Sequence, residues 1–114
     1  MQLEVRKYLF DIQRACALVR QFTAGKDFSA YSSDILLRSA VERQFEIIGE
    51  ALSRMLKLDN SLGVRITASK QIISFRNVLI HGYATILNDL VWEIIEAKLP
   101  ILQQEVDQLL GEQS

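Results

Sequence analysis

The side chains best suited to chemistry lie within eight consecutive positions of this sequence. Arg76, Asn77, His81 and Tyr83 are interleaved there with apolar residues that would seat a helix in a core. Imidazole takes up and releases a proton near neutral pH, and the planar guanidinium fork can hold two phosphate oxygens. These properties suit cleavage of an RNA phosphodiester, in which one imidazole takes a proton from the ribose 2′-hydroxyl and another gives one to the departing 5′-oxygen. Such a reaction needs no metal ion and spares DNA.

The spacing of Arg76 and His81 does not stack them on one face of a helix. Five residues turn the direction of an α-helix by about 140°. The two side chains could converge if the arginine curls back, or if two chains pair through this helix. A two-fold axis would bring two arginines and two histidines around one cleft. There Arg76 would stabilise the charge that builds up on the phosphate, and Asn77 could donate a further hydrogen bond.

A structural role for these residues is the competing interpretation. A lone histidine beside Gly82 at a helix end is often a capping or partly buried residue, and a tyrosine such as Tyr83 often packs with its hydroxyl at the surface.

The residues that other kinds of active site require are missing from this sequence. One histidine and the single Cys16 cannot supply the three or four ligands of a zinc site. No phosphate-binding or dinucleotide-binding glycine motif is present, and Ser74 has no nucleophile-elbow glycines. We expect neither a metal nor a cofactor.

The charge of the chain is unevenly distributed. The 114 residues carry a net charge of -1, so the protein is no polycation. Residues 54–76, the basic segment, contain five cations and only one acid, Asp59. The cations are Arg54, Lys57, Arg65, Lys70 and Arg76. Arg54, Lys57 and Lys70 are candidate contacts for an RNA backbone. A solvated loop between helices would explain the same charges.

Length and composition predict one cytoplasmic domain over residues 1–114. Apolar residues make up 49% and charged residues 24% of the chain, which is an ordinary globular balance. The sequence begins without a targeting signal, and no apolar run approaches the roughly 18 residues of a membrane span. The only cysteine, Cys16, fits a reducing compartment, and we expect it to be a small buried hydrophobe in the first helix.

Helices must position the candidate residues. The chain has only one proline and five glycines, which are too few for the turns that several β-hairpins would need. Apolar residues recur at three and four positions from Val5 to Phe22, which predicts a first helix that ends near Gly25 with a left-handed cap. A second helix begins between Ser29 and Asp34. Residues 59–63 are predicted to form a loop.

The second half of the sequence predicts two more helices. Thr67 is a plausible N-cap for a third helix running to His81, with Gly82 as its stop. Asn88 can cap a fourth helix that has Asp89 in its first turn. Pro100 predicts a kink near residue 99 or a new short helix starting at the proline. The fold class is therefore all-α, an up-and-down bundle of four helices, with a possible fifth short helix after a kink at Pro100.

Residues 76–83, Arg-Asn-Val-Leu-Ile-His-Gly-Tyr, resemble the Arg-(four residues)-His-any-Tyr signature of the HepT-like branch of the HEPN superfamily. Members of that branch are the toxins of MntA/HepT toxin-antitoxin pairs. Residues 40–51 resemble the second helix of that family and residues 90–95 its fourth, so the likeness covers nearly the whole chain. Residues 64–67 depart from the pattern, because relatives often have a proline and a tryptophan there.

The resemblance implies a homodimer with a composite cleft and metal-independent endoribonuclease activity in a type VII-like toxin-antitoxin system. Carried onto this sequence, Arg76 and His81 are the catalytic pair and Asn77 is the polar assistant. The resemblance also implies that an MntA-like nucleotidyltransferase silences the toxin by transferring AMP to the hydroxyl of Tyr83. Two alternatives stay open: a non-catalytic nucleotide-binding or partner subunit of a nucleotidyltransferase, and a purely structural dimer module.

Overall fold

The computed structural model describes residues 2–81 and 88–112, and these residues form helices and short connections without a β-strand. No helix in these two ranges is long and apolar enough to cross a bilayer. The helical elements in chain order are α1 (Leu3–Thr23), α2 (Phe28–Ser33), α3 (Ile35–Leu58), a 3-10 turn (Asn60–Val64), α4 (Ser69–Ile80), α5 (Asn88–Glu93), a π-helical turn (Ile94–Lys98) and α6 (Leu99–Glu112).

The long helices pack as a bundle around α1 and α3. Helix α1 contacts both α3 and α6, and α4 packs against α3. Each long helix turns one apolar stripe inward, as the three- and four-residue spacing predicts. The Phe45 ring of α3 meets the Phe75 ring of α4 edge to face, with 5.6 Å between ring centroids. The predicted all-α bundle is confirmed.

The first helix ends as predicted. Helix α1 stops at Thr23, and Gly25 adopts a positive φ of 72°. The N–H of Lys26 donates to the Thr23 carbonyl at 2.9 Å, which satisfies one of the unpaired carbonyls at the helix end. Cys16 is fully buried in this helix, as expected of a small hydrophobe, and burial raises the pKa of its thiol to about 12.

The segment between α1 and α3 holds a short helix that the sequence did not predict. Asp27 caps α2 by accepting the Ala30 N–H at 2.8 Å. Asp34 then caps α3 by accepting the Leu37 N–H at 3.1 Å, at the end of the predicted window for the start of this helix. Helix α2 is an additional piece, distinct from the short helix expected after Pro100. It could not be separated from α3 by periodicity, because it is only six residues long.

The start of α4 differs from the prediction. Thr67 is not the N-cap, because Ala68 occupies that position without a side-chain hydrogen bond. The Thr67 hydroxyl instead donates to the Glu105 carboxylate of α6 at 2.6 Å, and its backbone N–H approaches the same carboxylate at 3.1 Å. Thr67 therefore hydrogen-bonds to the Glu105 carboxylate of α6 and does not cap the start of α4. The predicted loop before α4 is a 3-10 turn.

The last helix continues through Pro100. Helix α5 is described from Asn88, so the predicted cap at this residue lies at the edge of the described residues, and Asp89 lies in the first turn as predicted. A π-helical turn (Ile94–Lys98) precedes the position of the predicted kink, and the Leu99 N–H donates to the Ile94 carbonyl five residues earlier. Pro100 is the second residue of α6, so α6 does not start at the proline.

Candidate active site

Helix α4 carries the candidate residues and is fixed by its apolar side. Its buried residues are Ser69, Ile72, Phe75 and Leu79, which follow a helical spacing and face α3. The opposite side is exposed and presents Lys70, Ser74, Asn77 and His81 at intervals of four, three and four residues. Arg76 lies at the border between the two sides. The helix therefore places Asn77 and His81 at the surface and Arg76 against its neighbour.

The Arg76 guanidinium is held against α3. Its NH1 lies 3.2 Å from Oε2 of Glu50, and 17% of the Arg76 side chain is exposed. Nε of Arg76 is buried and has no hydrogen-bond partner among the residues that the structure describes. The other oxygen of the same carboxylate accepts Nε–H of Arg54 at 2.6 Å. Glu50 thus lies between two arginines, one from its own helix and one from α4.

The charge of Glu50 is stabilised by these neighbours. The hydrogen bond from Arg54, together with the positive charges of Arg54 and Arg76, lowers the pKa of the Glu50 carboxyl below its ordinary value. The carboxylate therefore stays ionised at neutral pH. It can orient both guanidinium groups as long as it keeps that charge.

His81 is the residue that ends α4, and one carbonyl determines its tautomer. Its backbone N–H donates to the Asn77 carbonyl at 3.1 Å, and its ring Nδ1 lies 2.8 Å from the same oxygen. A carbonyl can only accept, so Nδ1 carries the proton. In the neutral ring the lone pair is then on Nε2, which is the nitrogen able to act as a base.

The predicted site residues are only partly brought together within one chain. Arg76 faces Glu50 on α3, whereas His81 lies on the exposed side of α4, in keeping with the predicted angle of about 140° between them. Asn77 contacts His81 through its backbone carbonyl, and its side chain is exposed. Tyr83 and Gly82 lie outside the residues that the structure describes.

Arg76 opens into a cleft where α1 meets the C-terminal half of α3. The cavity has a volume of about 420 Å³ and is lined by Glu4, Tyr8, Glu50, Ser53, Arg54, Lys57, Leu58 and Arg76. Three cations face two carboxylates in it, so the lining has one excess positive charge. A second cavity of about 440 Å³ shares Tyr8, Glu50 and Arg54 with the first and reaches Ile80 near the end of α4. We call the two together the α1–α3 groove.

The candidate RNA contacts fall into two places. Arg54 and Lys57 line the α1–α3 groove together with Arg76. Lys70 is exposed on α4, on the same side as His81. Arg65 is paired with Glu112 at the end of α6, which neutralises one of the five cations of the basic segment. The basic segment therefore does not act as one patch.

Sequence reasoning missed two residues next to Arg76. Gly49 and Glu50 belong to residues 40–51, which resemble the second helix of the family, but no pattern along the chain indicates which helix faces them. Tyr8 of α1 also lines both cavities, and the sequence does not single it out. These roles depend on packing between helices, which a single sequence does not display.

Comparison with known proteins identifies a family for this chain. The family model described as Ribonuclease HepT-like matches residues 12–109, which include all of α3 and α4. No solved structure matches the chain.

Three relatives illustrate the match. The protein named "Putative RNase MJ1380" from Methanocaldococcus jannaschii is 34% identical over 104 residues, which cover 91% of this chain and 94% of that protein. "Putative RNase TTE0752" from Caldanaerobacter subterraneus is 30% identical, covering 92% of this chain and 93% of its own length. "Probable ribonuclease HepT" from Thermococcus cleftensis is 28% identical, with 96% and 98% covered. The likeness therefore extends over nearly the full length of each relative.

Proposed function

Because this chain belongs to the Ribonuclease HepT-like family of the HEPN superfamily, we propose that it is a metal-independent endoribonuclease and the toxin of a type VII-like toxin-antitoxin pair. The observation that carries the proposal is the hydrogen bond between His81 Nδ1 and the Asn77 carbonyl. It leaves the lone pair of the neutral ring on Nε2, as a general base requires. The toxin acts in the cytoplasm, where its RNA substrates are.

The proposed reaction is an attack of the ribose 2′-oxygen on the adjacent phosphorus. Neutral His81 of one protomer removes the 2′-hydroxyl proton through Nε2, and the bond from the 2′-oxygen to phosphorus forms. The bond to the 5′-oxygen breaks as protonated His81 of the other protomer donates its proton there. The products are a 2′,3′-cyclic phosphate and a 5′-hydroxyl. Two copies of one histidine thus divide the acid and base roles.

Arg76 and Asn77 stabilise the negative charge that develops on the phosphate in this reaction. The Arg76 guanidinium lines the α1–α3 groove beside Arg54 and Lys57, so an RNA strand held by these cations brings a phosphate to it. In the transition state the guanidinium stabilises the five-coordinate phosphorus, and the Asn77 amide adds a hydrogen bond. Lys70 is the third proposed RNA contact, on the His81 side of α4.

The proposed control of this activity is modification of Tyr83, two residues after His81. A partner MntA-like nucleotidyltransferase transfers AMP to the Tyr83 hydroxyl. The adduct is bulky and carries a negative charge, so it blocks the composite cleft and repels the RNA backbone. The toxin is therefore silent while its antitoxin is present.

The test is expression of four forms of the protein in a bacterial host. We expect growth arrest and degradation of cellular RNA with the wild-type protein, and neither with His81→Ala or Arg76→Ala. Ser74→Ala is the matched control, because Ser74 is exposed on the same side of α4 without a role in the reaction. Circular dichroism of the purified variants checks that each is folded. Growth arrest by folded His81→Ala would contradict the proposal.

A second candidate is a non-catalytic nucleotide-binding subunit that partners a nucleotidyltransferase. The observation in its favour is the cavity of about 420 Å³, where Arg54, Lys57 and Arg76 could hold the phosphates of a nucleotide. It predicts binding of ATP in calorimetry by a wild-type protein that cuts no RNA.

A further inference from the structure

Gly49 of α3 packs directly against the stem of Arg76 on α4. A Cβ atom built on Gly49 would lie 2.3 Å from Cβ and 2.7 Å from Cγ of Arg76, and 3.4 Å from the Ile72 carbonyl oxygen. Carbon atoms in contact normally lie about 3.5–4.0 Å apart. Cβ of Arg76 is fixed to the backbone and cannot swing aside like the end of a flexible side chain. Any larger residue at position 49 must therefore move α4 or the stem of Arg76.

The next residue along α3 holds the other end of the same side chain. Oε2 of Glu50 lies 3.2 Å from NH1 of Arg76, while Oε1 accepts Nε–H of Arg54 at 2.6 Å. Because Arg54 is one turn further along α3, it fixes the carboxylate against its own helix. The carboxylate can then fix the guanidinium that arrives from α4.

The two contacts together determine the place of the guanidinium. The stem of Arg76 lies on Gly49, its buried Nε has no hydrogen-bond partner in the described part of the chain, and its tip pairs with Glu50. A guanidinium whose Nε is desolvated in this way depends on the remaining contact for its orientation. Loss of the carboxylate would release the tip, and a methyl group at position 49 would displace the stem.

We propose that Gly49 and Glu50 are positioning residues that hold the Arg76 guanidinium at the scissile phosphate. The inference rests on the proposed ribonuclease function for its kinetic consequence. Both residues act through Arg76. An arginine misplaced by about 1 Å would bind the phosphate but would stabilise its transition state poorly, which can reduce the rate about 100-fold. The expected signature is a loss in kcat without a rise in KM.

The kinetic test compares Glu50→Gln with a matched control. Glu112→Gln also removes the charge from a Glu-Arg pair, and Glu112 and Glu50 have the same side-chain exposure of 42%, but Glu112 lies at the end of α6. We expect Glu50→Gln to lower kcat for RNA cleavage at least 10-fold, with KM unchanged or lower because a negative charge has left the groove. Glu112→Gln should keep kcat within about twofold. An equal loss in both variants, or an unchanged kcat in Glu50→Gln, would overturn the proposal.

Gly49→Ala tests the stem contact and has Gly111→Ala as its control, since a Cβ at position 111 meets no atom within 4 Å. The readout is the NMR signal of Arg76 Nε–Hε, assigned by its loss in Arg76→Lys. We expect this signal to shift in Gly49→Ala and in Glu50→Gln, and to stay in place in both controls. Should Gly49→Ala fail to fold, Glu50→Gln alone decides. An unmoved signal in Glu50→Gln would refute the positioning role.

The NMR measurement also separates this inference from the proposed function. If the wild-type protein cuts no RNA, the ribonuclease proposal fails, while the shift of the Arg76 signal still reports whether Gly49 and Glu50 position the guanidinium. If the wild type cuts RNA and the signal does not move, the positioning role alone is excluded.

Discussion

At the position of His81, a backbone carbonyl oxygen fixes the tautomer of the neutral imidazole. The Asn77 carbonyl accepts the ring Nδ1–H at 2.8 Å, and this bond selects Nε2 as the nitrogen that can take up a proton. The bond belongs to the backbone of Asn77. Its side-chain amide has a separate proposed role as a hydrogen-bond donor to the scissile phosphate.

Asn77→Ala should therefore reduce the rate without changing the state of the histidine. We expect kcat to fall about 100- to 1,000-fold, as for loss of one donor to a developing negative charge. The pH profile of kcat should keep its shape, because the carbonyl that fixes the tautomer remains. Cleavage rates measured on either side of neutral pH check this. A displaced pH optimum would show that the amide acts on the imidazole after all.

At the scale of single residues, sequence analysis identified the candidate residues along α4 but missed the residues of α3 that pack against them. The angle of about 140° between Arg76 and His81 follows from helix geometry alone, and the structure places them accordingly. Gly49 and Glu50 could not be found in this way. Their importance depends on which side of α4 packs against α3, and that is a tertiary contact.

At the scale of the element, α4 is the part of the fold that the site depends on. Its buried side packs against α3, with Phe75 against Phe45, and this packing sets the direction of Arg76. Its beginning is tied to α6 by the contacts between Thr67 and Glu105. The contact fixes the start of the helix, while the residues of the site lie toward its other end.

Thr67→Val should thus lower the free energy of unfolding without changing the rate of cleavage. The substitution keeps the shape of the side chain but removes the hydroxyl that donates to Glu105 at 2.6 Å. We expect a loss of about 1 kcal/mol in the free energy of unfolding, measured by urea denaturation, with kcat of the folded protein unchanged. Thr67→Ser keeps the hydroxyl and should retain most of the stability. Equal stability of all three proteins would show that this contact contributes nothing.

Prediction from sequence identified the long helices but failed at the start of α4 and at the short helix α2. Long stripes of apolar residues predicted α1, α3, α4 and the final helix, because the 3.6-residue period needs only local information. The N-cap at Thr67 was wrong because the carboxylate of Glu105 is 38 positions away and takes its hydrogen bonds. Helix α2 was missed because six residues are too few to display a period.

At the scale of the whole molecule, a net charge of -1 conceals a small excess of positive charge in the cavity around Arg76, where the RNA strand is proposed to bind. The α1–α3 groove collects Arg54, Lys57 and Arg76, while the acids of the C-terminal third lie on other elements or pair with threonine and arginine. In the proposed homodimer, the exposed side of α4 brings two copies of His81 to one cleft. The acid and base of the reaction then come from different chains.

The most direct measurement is the cleavage of a cellular RNA pool by the purified protein in EDTA, with the ends of the products identified by mass spectrometry. The account predicts cleavage by the wild type, 2′,3′-cyclic phosphate or its hydrolysed form at one end and a 5′-hydroxyl at the other, and none by His81→Ala. A matched RNA with a 2′-deoxy sugar at the cleaved position should remain intact. Products with a 3′-hydroxyl, or cleavage that requires added metal ions, would contradict the central claim.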